Sequence, residues 1–412
     1  MPFQRSNKHS SLSKRQGKVS GLGNQEEVFH VKRTPSSPQG GPKKRSAFVD
    51  LTNTNKVQNG PSVKSGKPAK KALTSKAVKT RSKCPSSEEQ PKKAEGQVEG
   101  SLSEDSSASR PKEQSAVQQA LESAVQEQKI PEAFDIDKEQ AGDCLMSPEY
   151  AKDIFDYLKN REEKFVLTDY MHNQPDLNGE MRGILVDWMV EVQENFELNH
   201  ETLYLAVKLT DHYLAVTVVM KESLQLIGST AMLIAAKFEE RCPPCVDDFL
   251  YICDDAYKRQ EFIVMERNIL QGLNFDINIP VPYRFLRRYA KVAHASMETL
   301  TLARYVCELS LLELELVPER ASHLASACLL LALITKGLEG WTAALQYHTG
   351  YVLSDLSPLV RRLYAMLASP SDEKLKAVEN KYSHKVFFEV AKIPLVHIKT
   401  LEDALTEQDI SQ

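Results

Sequence analysis

Hydrophobic positions fall into two regimes along the chain. Up to about residue 140, large apolar residues are sparse among Ser, Lys, Gly, Pro and Gln. From Tyr150 onward they recur at spacings of three and four, the period of an amphipathic helix. The pattern predicts helices near 147–161, 178–196, 200–216, 221–238, 246–252, 258–272, 281–294, 297–314, 318–336, 341–348, 355–369 and 371–378. Strand-like alternation is nearly absent. The body therefore reads as all-α. Residues 1–140 read as a disordered tail, because so little apolar surface cannot offset the entropy of ordering.

The body also repeats. Glu201-Thr202-Leu203-Tyr204-Leu205-Ala206 matches Glu298-Thr299-Leu300-Thr301-Leu302-Ala303 at an offset of 97. Ala231-Met232-Leu233-Ile234-Ala235-Ala236 resembles Ala327-Cys328-Leu329-Leu330-Leu331-Ala332 at an offset of 96. Two helical units of about 100 residues follow, a period too long for TPR, ankyrin or HEAT arrays. The break falls at Ile279-Pro280-Val281-Pro282, where proline stops one helix and opens the next. In each unit the helix rich in small residues suits the centre, since Ala lets neighbours approach closely.

Charge sharpens this division. Residues 1–100 hold 21 Lys/Arg against 7 Asp/Glu, residues 101–150 hold 4 against 11, and the body holds 27 against 38. A basic arm thus precedes an acidic spacer and a mildly acidic body. Basic clusters at Lys43-Lys44-Arg45 and from Lys67 to Lys83 suit nuclear import better than nucleic acid, because the arm has almost no aromatics for base stacking. The longest apolar run, Ala327 to Ile334, is eight residues, far short of a membrane span. The N-terminus lacks the apolar stretch of a secretory signal. Seven cysteines, an odd number, read as reduced thiols. Cys242-Pro243-Pro244-Cys245 has the spacing of half a zinc site but no second pair, so no metal is expected. No GxxxxGK[ST], HExxH, GxSxG or kinase signature occurs.

Three features of the first unit have no counterpart in the second. Lys237 shares a side with Leu233 and Ile234, where the second unit has Leu333. It is either a lysine favoured by the helix C-terminus, its stem over apolar surface, or a binding residue. Glu266 sits in a stripe of Phe262, Ile263, Ile269, Leu270 and Leu273. A lone buried carboxylate costs several kcal/mol, so its partner lies either in this fold or in another chain. The helix from Met181 to Glu191 is apolar nearly all round, with Met181, Ile184, Leu185 and Trp188 on one face. Such a helix is central, or binds something on one side.

These same residues carry a family resemblance. Met181 to Glu191, with Leu203-Tyr204-Leu205-Ala206-Val207 and Asp211-His212-Tyr213-Leu214, resembles the cyclin box. So does Ala235-Ala236-Lys237-Phe238-Glu239-Glu240, followed by Met265-Glu266 and Leu273-Asn274-Phe275. The resemblance covers about residues 145–395 and is to mitotic B-type cyclins. In the tail, Arg45-Ser46-Ala47-Phe48-Val49-Asp50-Leu51-Thr52-Asn53 resembles a destruction box, with Phe48 where Leu is usual, as in the third B subtype. The organisation this implies is a tail over 1–140 and two tandem five-helix cyclin boxes over 145–278 and 279–395. A short helix precedes the first box, and a C-terminal tail runs over 396–412.

The resemblance implies a non-catalytic subunit, without cofactor, that activates a mitotic cyclin-dependent kinase and serves the G2/M transition and mitotic or meiotic progression. Cyclin-dependent kinase one stands first as partner and its close paralogue, kinase two, second. Lys237 and Glu266 match residues that bond to kinase backbone, and Phe238, Phe275, Ile154 and Tyr157 match apolar kinase contacts. Met181, Leu185, Trp188, Glu191 and Gln225 match a patch that docks substrate or inhibitor peptides of basic-x-Leu pattern. Arg182 and Asp211 match a structural salt bridge. Arg287 and Arg304 fit two positions of a phosphopeptide pocket, with Leu300 in place of the usual His. Arg45, Phe48 and Asn53 would address the chain to the anaphase-promoting complex, a ubiquitin ligase. The expected location is nuclear, with no membrane and no direct nucleic-acid contact. Two alternatives remain: a kinase-independent scaffold, and a transcription factor built on two cyclin folds.

Overall fold

The computed structural model describes residues 131–142, 147–370 and 372–406. Helix α1 (Ala151–Glu162) leads into a five-helix bundle: α2 (Gly179–Asn195), α3 (His200–Val216), α4 (Leu224–Glu239), α5 (Val246–Ile252) and α6 (Arg259–Gly272). A second five-helix bundle follows: α7 (Pro282–Val292), α8 (Met297–Leu309), α9 (Ala321–Thr335), α10 (Ala343–Thr349) and α11 (Leu353–Ala368). Two short helices, α12 (Ala377–Tyr382) and α13 (Ile398–Thr406), close the described chain, which contains no strand. Helices α3, α4 and α5 each begin 97 residues before α8, α9 and α10, so the sequence repeat is a repeat of bundles.

Local chemistry sets the helix ends. The Asn178 side chain accepts from Met181 N at 2.9 Å and starts α2. Pro282 opens α7, where its missing N–H has no intrahelical partner to lose. The small-residue helices are the central ones. In α4 every residue from Leu224 to Ala236 is buried, and α9 is buried from Leu324 to Ile334. Gly228 permits the tightest approach: a Cβ there would lie 2.8 Å from Cδ1 of Leu185 on α2. Helix α2 is buried on both faces and is central, packing on α4 on one side and on α12 and the 310–312 turn on the other.

The structure corrects several expectations. The helix expected over 371–378 lies at 377–382. Asp372 accepts from Lys374 N at 2.9 Å in a turn, and α12 starts only where Asp187 Oδ1 accepts from Ala377 N at 2.8 Å. The helix expected over 297–314 ends at Leu309 and continues as two 3₁₀ turns, because the guanidinium of Arg182 takes the carbonyl of Leu311 at 2.7 Å. The supposed C-terminal tail contains α13, with Leu401 and Leu405 buried and Glu402 paired with Arg361 of α11 at 2.7 Å. Part of the supposed disordered tail, from residue 131, is structured, with Ile136 and Asp137 buried.

One half-buried histidine makes stability depend on pH. The Nε2 of His212 is closed off from solvent without a partner, and the ring stands edge-on to Phe165. Burial, helped by the Lys208 charge, pushes its pKa down from 6.5 to about 4. Between these values the unfolded chain binds a proton that the folded chain does not, so stability falls as pH drops from 6.5 toward 4. From about pH 7.5 to about 5.5 this one group should cost ~1.3 kcal/mol. In His212→Gln, the stability difference between those two pH values, read from urea unfolding, should shrink by that amount.

Candidate functional site

Helix α1 is bolted across the second bundle, and the bolts decide which side faces out. Its inner stripe is Ala151, Phe155, Leu158 and Glu162, at the spacing of one helical face. The Glu162 carboxylate caps α9: it accepts from Ser322 N at 2.8 Å and from the Ser322 hydroxyl. Burial raises the Glu162 pKa, against the pull of those bonds. Lys159 donates to the carbonyl of Thr349 and lies 4.4 Å over the ring of Tyr351. With that face fixed, Ile154 and Tyr157 point outward, 44% and 54% exposed.

The outward stripe of α1 runs on to Arg161, which pairs with Asp276 and donates to the carbonyl of Asn278 at 2.7 Å. Hydrogen bonds from Lys164 and Arg161 hold the Asp276 pKa below its ordinary value against slight desolvation. This brings α1 to the turn that ends α6. There Phe275 N bonds Leu270 O at 2.8 Å and Asn274 N bonds Gln271 O at 3.0 Å, the two bonds of a Schellman cap. Asn274 (φ 52°) and Phe275 (φ 59°) are both left-handed. Asn tolerates that region, but for Phe it costs roughly 1–2 kcal/mol. The strained turn holds the Phe275 ring 66% exposed.

The end of α4 completes this face. Glu239 turns inward to Arg284 at 2.8 Å, and Glu240 accepts from Thr202 Oγ1 at 2.5 Å and Asn199 N at 2.7 Å. Lys237 and Phe238 are left outside, with Phe238 44% exposed. Lys237 Nζ donates to Glu266 Oε1 at 2.5 Å, with side-chain exposures of 47% and 22%. Glu266 thus has a partner within the fold, and it is the other unusual charge of the first bundle. The structure brings Lys237, Phe238, Glu266, Phe275, Ile154 and Tyr157 onto connected elements: α4 joins α6 through the ion pair, and the turn after α6 joins α1 through Asp276.

The peptide-patch residues are mostly interior. Leu185 has no exposed surface, and Trp188 and Gln225 are 4% and 3% exposed. Only Met181 and Glu191 are partly reached by solvent. Leu185 packs closely against Gly228 of α4, where a Cβ would lie 2.8 Å from its Cδ1. One feature is unusual for plain core: Gln225 Nε2 is buried with no hydrogen-bond partner.

Arg182 and Asp211 form the expected salt bridge, with Nε and Nη2 on the two carboxylate oxygens at 2.7 and 2.8 Å. Tyr170 Oη donates to the same carboxylate at 2.6 Å. Burial pushes the Asp211 pKa up, but Arg182 and Tyr170 outweigh it and hold the group below its ordinary range. In the second bundle, Arg287 lies 3.7 Å from Glu201 and over the Tyr283 ring, while Arg304 stacks on Tyr382 and Phe387. The Nε of Arg304 is nevertheless buried with no hydrogen-bond partner, and Leu300, one helical turn before it, is half-buried. Arg45, Phe48 and Asn53 lie outside the described residues. Cys242 and Cys245 are exposed free thiols, and no group of three metal-type ligands occurs among the described residues.

Most of the charges that anchor the helices are not evident from local sequence. Glu162 lies at +4 from Leu158 on the buried stripe of α1, the same signal that singled out Glu266. Lys381 and Glu308 are an ion pair with at most 1% exposure, which Tyr382 Oη and Gln193 Oε1 complete at 2.7 Å each. Nothing in local sequence joins residues so far apart.

Residues 153–278 match the family described as cyclin, N-terminal domain, and residues 280–395 match cyclin, C-terminal domain. A G2/mitotic-specific cyclin-B3 of Gallus gallus is 56% identical over 413 residues, covering 98% of this chain and all of that relative. The G2/mitotic-specific cyclin-B3 of Homo sapiens is 57% identical over 271 residues, covering 66% of this chain but only 19% of the human protein. An X-ray structure of a viral cyclin from herpesvirus saimiri aligns with a TM-score of 0.48 at 23% identity, covering 52% of this chain and 97% of that one.

Proposed function

Since this chain belongs to the cyclin family, in its B-type branch, and is a regulatory subunit rather than a catalyst, we propose that it activates a mitotic cyclin-dependent kinase through the face described above. The observation that carries this reading is the set of four exposed apolar side chains, Ile154, Tyr157, Phe238 and Phe275, on the elements that the Lys237–Glu266 and Arg161–Asp276 pairs tie together. Such residues do not stabilise the free chain. An exposed ion pair contributes about 0–1 kcal/mol, and a left-handed Phe costs stability. Their placement makes sense if a partner covers them. The partner of first choice is cyclin-dependent kinase one, with its paralogue, kinase two, second.

The mechanism is a shift of population. Docking presses the kinase αC helix inward, so that its Glu pairs with the β3 Lys and the activation loop opens. Moving a kinase from one part in a hundred active to almost wholly active requires a preference of about 5.5 kcal/mol for the active form. Four half-exposed apolar side chains supply, on burial, roughly 3–6 kcal/mol gross, before the cost of association. Lys237 and Glu266 therefore decide the balance, by exchanging their weak mutual bond for kinase backbone groups. The test is whether purified kinase gains activity on addition of the full chain.

Two further roles belong to this reading. The unpartnered amide of Gln225 is suited to a backbone carbonyl of a basic-x-Leu peptide, entering past Met181 and Glu191 once Leu185 and Trp188 shift. Arg45, Phe48 and Asn53 would hand the chain to the anaphase-promoting complex, and the basic clusters would direct it to the nucleus. Replacing all three destruction-box residues by Ala should keep the chain present through anaphase. Loss at the normal time in synchronised cells, followed by immunoblot, would reject that degron.

A further inference from the structure

The segment 131–140, part of the acidic spacer, does not stop at the edge of the fold. Asp137 is 6% exposed and grips Arg288 of α7 with both oxygens, at 2.5 and 2.6 Å. Lys291 lies 3.4 Å from the same carboxylate. Phe134 packs at a 38° tilt against Tyr347 of α10 with centroids 5.5 Å apart, and its carbonyl lies 2.8 Å from His348 Nε2. Between these, Ile136 is buried. This strap therefore has an aromatic end and an acidic end, both held by the second bundle.

Arg288 has a second contact. Its guanidinium lies 5.4 Å over the ring of Phe155, which also meets Phe285 at 6.0 Å. Phe155 is the inward pin of α1 at the level of Ile154 and Tyr157. Neighbouring residues on a helix point about 100° apart, so the seating of Phe155 fixes the rotation that carries Ile154 and Tyr157 outward. At the far end of α1, Glu162 is fixed independently through Ser322. Without Asp137, Arg288 would be a nearly buried cation facing Lys291 without a counter-charge, and the plane under Phe155 would lose its anchor.

We infer that Asp137 is a positioning residue for kinase docking: the strap locks α1 to the second bundle through Arg288 and so holds Ile154 and Tyr157 in place. The docking part of this inference rests on the function proposed above. The clamp part does not, and the test separates them.

The experiment compares the full chain with Asp137→Asn, which removes the charge and keeps the shape, and with Asp137→Glu, which keeps the charge. The first readout is hydrogen exchange of the α1 amides in the free chain, with the α9 amides as a control for global stability. Exchange in α1 should quicken about 10-fold or more in Asp137→Asn, with α9 unchanged, and return toward wild type in Asp137→Glu. The second readout is the dissociation constant for purified kinase, expected to weaken about 10-fold in Asp137→Asn and to recover in Asp137→Glu. Unchanged α1 exchange in Asp137→Asn overturns the clamp. Faster α1 exchange with unchanged kinase affinity overturns the positioning role. If the wild-type chain does not bind kinase, the proposed function falls, and α1 exchange still decides the clamp.

Discussion

Exchanging the two charges of the docking face, Lys237→Glu together with Glu266→Lys, should return kinase activity to about its unaided level, a loss of about 100-fold, while leaving the chain folded. The swap preserves an ion pair within the chain, the acid now on α4 and the base on α6, in the place where Lys237 and Glu266 meet at 2.5 Å. An exposed pair contributes about 0–1 kcal/mol, so the melting temperature should move by less than about 4 °C. What the swap inverts is the polarity offered to another molecule. A donor now stands where an acceptor was required, and each mismatched charged contact in a closed interface costs roughly 2–5 kcal/mol. Single reversals are poorer tests, because each sets two like charges side by side and disturbs the fold as well. If the swapped chain activates as wild type does, this pair is not the docking contact.

The second large effect concerns Arg182. Replacing it by Ala should destabilise the chain by about 3–5 kcal/mol, a large part of the roughly 5–15 kcal/mol that holds a typical domain together. The guanidinium is fully enclosed, spent on Asp211 and on the carbonyls of Leu311 and Leu312 in the second bundle. Its removal strands a buried carboxylate and frees carbonyls where the two bundles meet. Replacing Asp211 alone by Ala should cost a similar amount, because it strands the cation instead. The double replacement Arg182→Met with Asp211→Leu should cost much less than the sum of the two single losses, since no charge is then left unpaired. Denaturant unfolding of the three variants measures this. Additive losses would mean that the pair is not the unit the geometry describes.

What the sequence revealed follows from the distance over which each feature is encoded. The repeat was legible because α3 and α8, and α4 and α9, carry their pattern within one or two turns of helix. Lys237 and Glu266 stood out because each breaks an apolar stripe, although local spacing left open whether Glu266 had a partner in the fold. Pairing depends on α4 lying against α6, which no local pattern states. Asp137 and Glu162 were lost for the same reason: their partners lie 151 and 160 residues further along the chain. In the acidic spacer, no local pattern sets Asp137 apart from its acidic neighbours. The end of α8 and the start of α12 were misplaced because side chains from α2, Arg182 and Asp187, decide them. The peptide patch is the opposite case. Met181, Leu185 and Trp188 form a legible stripe, yet a stripe does not reveal that Leu185 is roofed by Gly228.

Activation is read most directly from phosphate transfer to histone by the purified mitotic kinase, with and without an equimolar amount of the full chain. The rate should rise about 100-fold, the size expected when a kinase active one part in a hundred becomes almost wholly active. A chain that shows its full helical circular dichroism yet leaves the kinase rate unchanged would contradict it.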